Sequence, residues 1–99
     1  MTQGAPARSS SDSHVTVVVP GEHVMSALVG PRDQFLRRVE QEFPTVAIRV
    51  RGNEVRVSGE QTAHVTDVSR LFEELVTLIQ NGQQIDDNTL DRVFTMVKS

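Results

Sequence analysis

Apolar residues recur along this chain with two periods, and the switches between them define a succession of short elements. In HVTVVVP, residues 14–20, Val15, Val17 and Val19 share one face of an extended segment that stops at Pro20, where strand hydrogen bonding ends. GEHVMSALVG then places Val24, Ala27 and Leu28 at helical spacing and closes on Gly30, which predicts a helix of about two turns. In QFLRRVEQEF, Phe35, Leu36, Val39 and Phe43 form one stripe of a second short helix that ends before Pro44. Alternation returns in TVAIRVRGNEVRVSGE. Val46, Ile48 and Val50 oppose Ala47, Arg49 and Arg51, and Val55 and Val57 follow Gly52-Asn53. Gly and Asn both tolerate the positive φ of two-residue turns, so this is a tight hairpin with an arginine-rich outer face.

From Thr62 to Asn81 the apolar positions Val65, Val68, Phe72, Leu75 and Ile79, joined by Leu71 and Leu78, predict the longest helix, terminated by Gly82 and covering the sheet. A last helix takes Asp86 or Asp87 as its N-cap and buries Leu90, Val93, Phe94 and Val97. The fold class is therefore α+β: strand, helix, helix, strand, strand, helix, helix, with a three-stranded antiparallel sheet covered by helices on one face. The opening MTQGAPARSSSDS is polar and lacks apolar periodicity, so residues 1–13 are expected to be a disordered tail and residues 14–99 one domain.

Charge modifies this picture. The net charge of −3 opposes a broad footprint for nucleic acid, but it conceals an asymmetry. Arg32, Arg37, Arg38, Arg49, Arg51 and Arg56 lie in a stretch with only four acids and a net of +2, while the rest of the chain sets four bases against nine acids. With no cysteine, thiolate metal sites and disulfides are excluded, and with no long apolar run a membrane span is not expected, which makes a cytoplasmic protein the simplest expectation. His14, His23 and His64 lack metal-ligand spacing, and no nucleophile motif can be assembled, so no enzymatic activity is expected of this chain alone.

The βααββα order, with a loop that opens on Gly30 between the two short helices, resembles a KH domain, in which a GxxG loop clamps the backbone of about four nucleotides. VTVVVP, HVMSALVGPRD, FLRRVEQEF and VAIRVRGNEVRVSGE carry the likeness over residues 15–60, with Asp33 in place of the second loop glycine. The run from LVG to GE, with Asp at the fourth loop position and RGN at the hairpin, is similar to the N-terminal domain of PhoH-like ATPases. The long helix, NG and the acidic start of the last helix extend that similarity to about residue 97.

The resemblance implies an accessory domain of a protein of RNA metabolism. Its ATP and Mg would sit in a following P-loop domain with helicase-like activity, since GxxxxGK(S/T) is absent from this chain. It also implies contact with that ATPase domain, and a partner ribonuclease is a further candidate contact. For RNA, the candidate residues are Gly30, Pro31, Arg32, Arg37, Arg49 and Arg51, making weak, salt-sensitive phosphate contacts. Asp33 would repel a phosphate by about 1–4 kcal/mol at contact. As N-cap of the second helix, its carboxylate would instead accept a backbone hydrogen bond worth about 1 kcal/mol. With no Trp or Tyr, and all four Phe on apolar stripes, base stacking has few candidates. The alternative is a protein-interaction or oligomerisation module without RNA contact, for which the last helix or the outer side of the long one should show a large apolar patch.

Overall fold

The period-two segments form three strands in the computed structural model, which describes residues 13–98: β1 (Ser13–Val18), β2 (Val46–Arg51) and β3 (Glu54–Gly59). All pairing is antiparallel, with β3 in the centre of the order β1-β3-β2. Gly52-Asn53 joins β2 to β3, and only Gly52 takes a positive φ, 57°. The register divides the side chains cleanly. Val17, Val55 and Val50 form one inward row, Val50 being left exposed near the end of β2, and Val15, Val57 and Ile48 form the next, while Thr16, Arg56 and Arg49 form an outward row. β1 starts at Ser13, one residue inside the expected tail. Ser13 pairs with Gly59, and its hydroxyl shares a 2.6 Å hydrogen bond with that of Thr62. The rest of that tail, residues 1–12, lies outside the described residues.

The helical stretches become α1 (Glu22–Val29), α2 (Gln34–Glu42), α3 (Thr62–Gln80) and α4 (Asp87–Lys98). This is the expected α+β layer, KH-like βααββα with one extra C-terminal helix. α3 lies across the sheet, chiefly over β1 and β3. Its stripe of Val65, Val68, Leu71, Phe72 and Leu75 is at most 1% exposed. A Schellman motif ends α3, with the Gly82 amide donating to Ile79 O at 2.9 Å and the Gln83 amide to Leu78 O at 3.0 Å. Gly82 takes the positive φ that this motif requires, 87°.

α1 packs on α3 and α2, and α2 meets the β2 edge of the sheet. α4 docks on the helical layer, against α3 and α2. Leu90, Val93 and Phe94 are buried there, and the Phe94 ring meets Phe43 edge-on at 6.3 Å. All four phenylalanines are buried, as their stripes require.

Of the two acids offered as cap of α4, Asp86 is the one used. Its Oδ1 accepts hydrogen bonds from the Thr89 amide and the Thr89 hydroxyl, each at 2.9 Å. Those two bonds, the amide first, hold the Asp86 carboxyl below its ordinary pKa. A depressed folded-state pKa stabilises above the unfolded value of about 3.9, and the contribution is lost as pH falls through the folded value. Asp86→Ala is therefore expected to lower the thermal midpoint by a few degrees at neutral pH, with the difference from the parent chain shrinking as the pH is taken below that range. Thermal melts followed by circular dichroism across acidic pH check it.

Candidate functional site

The bend between α1 and α2 begins at Gly30, whose amide donates to Ser26 O at 3.1 Å and closes α1. Two constraints require glycine there. Its φ is 78°, and a Cβ built on it would fall 2.6 Å from a ring carbon of Phe35, which is buried directly beneath. Pro31–Asp33 then makes one 3-10 turn, closed by the Asp33 amide on Gly30 O at 3.2 Å. Arg32 and Asp33 both adopt left-handed backbone angles, with φ of 56° and 59°.

Asp33 stands at the N-cap position of α2, as expected, but its carboxylate makes no capping hydrogen bond. The reason is conformational. A capping side chain reaches the free amides from an extended backbone, whereas Asp33 is left-handed, with φ 59° and ψ 27°. Among residues with a Cβ, Asp and Asn enter this region at least cost, so Asp33 meets the backbone demand that a glycine would meet in its place. Arg32 lacks that local compensation and is held there by its neighbours at a cost on the order of 1–2 kcal/mol.

Beyond the bend, Gln34, Arg37, Arg38 and Gln41 recur at helical spacing on the side of α2 away from Phe35 and Val39. With Pro31 and Arg32 they line an open surface depression of about 500 Å³. The fold thus brings Pro31, Arg32 and Arg37 together, while Gly30, next in the chain, faces a separate depression with Ser26, Ala27 and Ile79. It does not bring Arg49 and Arg51 to Arg32 and Arg37. Those two lie with Arg56 on the uncovered face of the sheet, Arg49 directly opposite Arg56 across the β2–β3 ladder. Like charges so opposed are destabilising without a counter-ion. Among the described residues, neither Arg32 nor Arg37 has an ion-pair partner.

Arg38, absent from the expected set, is part of the depression. The polar stripe at positions 34, 37, 38 and 41 is the sequence signal that would have found it. Its guanidinium reaches Asp87 at 3.1 Å and Asp91 at 2.8 Å on α4, and these carboxylates, Asp91 foremost, raise its pKa above the ordinary arginine value. It also lies 5.4 Å from the centre of the Phe94 ring.

The three histidines are dispersed: His14 on the uncovered sheet face, His23 on α1, and His64 on α3, where its Nδ1 shares a 2.8 Å hydrogen bond with Thr45. Among the described residues there is no cluster of His, Cys, Asp or Glu suited to a metal ion, and no helix long and apolar enough to cross a membrane. Compared with protein-family models and with curated protein sequences, the chain matches none.

The bend can be tested without any ligand. Gly30→Ala is expected to destabilise the chain by about 1–3 kcal/mol, because φ and the Phe35 contact both oppose a Cβ. Arg32→Gly, which relieves a left-handed side chain, is expected to stabilise it by about 0.5–1 kcal/mol. Urea unfolding of the two variants against the parent chain measures both.

Proposed function

We propose that this chain is a non-catalytic accessory domain that binds single-stranded RNA weakly, through the depression beside the Gly30 bend, in a PhoH-like ATP-binding protein of the cytoplasm. The observation that carries the reading is the convergence of Arg32, Arg37 and Arg38 around one depression, at a glycine bend between two helices of a KH-like layer. Arg32 and Arg37 have no ion-pair partner among the described residues, and the start of α2 contributes backbone amides. Together they supply the donors that a phosphate needs. Asp33 opposes them with its carboxylate, and every Phe is buried, so base stacking has few candidates. Affinity should therefore be low, indifferent to sequence and steeply dependent on salt. The arginines on the uncovered sheet face, Arg49, Arg51 and Arg56, extend the same character to a second surface. In this reading ATP and Mg belong to a P-loop domain of the parent protein, and that domain and a ribonuclease are its protein partners.

The alternative of a protein-interaction module required a broad apolar patch on the last helix or on the outer side of the long one. Leu90, Val93 and Phe94 of α4 are instead buried, and of the large apolar residues exposed among those described, Met96 lies on α4 while Val18 and Val50 belong to β1 and β2.

Titration of the chain with an oligouridylate of about 12 nucleotides, read by fluorescence anisotropy at low salt, tests the proposal. A dissociation constant on the order of 10–100 μM is expected, weakening as salt is raised. Arg32→Gln with Arg37→Gln should weaken binding about tenfold, and Asp33→Gly should tighten it by about two- to fivefold. An unchanged anisotropy at high RNA concentration and low salt would overturn the reading.

A further inference from the structure

Of the three arginines around the depression, Arg38 alone is already engaged. Its Nη1 donates to Asp87 Oδ1 at 3.1 Å and its Nη2 to Asp91 Oδ1 at 2.8 Å. The two acids sit one helical turn apart on α4, so their carboxylates converge on the donor fork that a phosphate would use. Their side chains remain about 60% exposed while Arg38 is at 30%, which leaves the pair open to exchange with a solvent-borne anion.

α4 does not depend on these ion pairs for its place. Leu90, Val93 and Phe94 are buried under it, Phe94 meets Phe43, and Lys98 pairs with Glu42 at the far end of α2. The two aspartates are thus held beside Arg38 chiefly by the burial of this stripe, to which Arg38 adds only its contact with the Phe94 ring.

Building on the RNA reading above, we propose that Asp87 and Asp91 are an internal competitor for the phosphate surface: α4 occupies Arg38 and thereby attenuates RNA binding by α2. A strand must displace two carboxylates to gain the third arginine. Because exposed ion pairs are individually weak, the device lowers affinity without abolishing it. A partner that engages the acidic face of α4 would release Arg38 and raise affinity for RNA at a surface it does not itself touch.

The test uses the same oligouridylate titration. Asp87→Asn with Asp91→Asn is expected to bind about three- to tenfold tighter than the parent chain, with a salt dependence steeper by about one phosphate contact. Glu60→Gln with Glu73→Gln removes the same charge away from Arg38 and is expected to change affinity by less than about twofold. Adding Arg38→Gln to the aspartate pair is expected to erase the gain. No gain in the aspartate variant, an equal gain in the glutamate variant, or a gain that survives Arg38→Gln overturns the competitor while leaving the RNA reading standing. Absence of binding by every variant at low salt overturns both. Should the double variant unfold, Asp91→Asn alone leaves the first turn of α4 intact, and it is expected to give a smaller gain that is likewise lost with Arg38→Gln.

Discussion

Burial of one face of α3 against three strands is the interaction on which the other elements lean. Val65, Val68, Leu71, Phe72 and Leu75 are almost wholly removed from solvent over a sheet whose inward rows are β-branched. Each such side chain contributes about 1.5–3 kcal/mol of transfer free energy, which a small sheet needs because its strands bury little on their own. α1 rests on α3, and α2 is wedged between α1 and the β2 edge, so the angle at which α1 hands the chain to α2 is inherited from this layer. Gly30 then fits because Phe35, the first apolar residue of α2, is buried directly under it. The shape of the surface bend is thus a downstream consequence of core packing.

Electrostatics acts on that scaffold as a second, weaker layer. The chain is acidic overall, yet its cations are concentrated on α2 and on the outer face of the sheet, while the acids of α4 are brought against one of them. The attachment of α4 combines both kinds of force. Its buried stripe supplies most of the energy, and the contacts of Arg38 with Phe94 and of Lys98 with Phe43, at 5.4 and 5.2 Å, add cation–π attraction where each cation lies over a ring face. Local charge balance at the depression is consequently a property of how two helices distant in sequence pack.

Strands, hairpin and helices were legible in the sequence because each is written in a local period. Val46, Ile48 and Val50 against Ala47, Arg49 and Arg51 leave little choice of face, and Gly52-Asn53 fixes the turn. The docking of α4 was not legible, since Arg38 and Asp87 are separated by 49 positions and no local pattern couples them. Asp33 shows a different limit. Its position before α2 was readable, but capping logic assumes an extended backbone, and the left-handed turn at Arg32 and Asp33 arises from the path the chain must take between two packed helices. Arg49 and Arg51 were grouped with the loop by composition and separated from it by the sheet's two faces, a distinction that needs the register.

β2 has a strand partner on one side only, and wherever α2 does not cover it such an edge can accept a second chain. Arg49 and Arg51 flank Val50 on that strand, with Arg56 beside them. A neighbouring copy laid antiparallel along the edge and centred on Val50 would bring Arg49 against Arg51, a repulsion that disfavours such pairing. High salt or a polyanionic polymer would screen that repulsion, and self-association along the uncovered part of the edge would then become easier. Colloidal behaviour and the proposed phosphate contacts would then draw on the same few side chains.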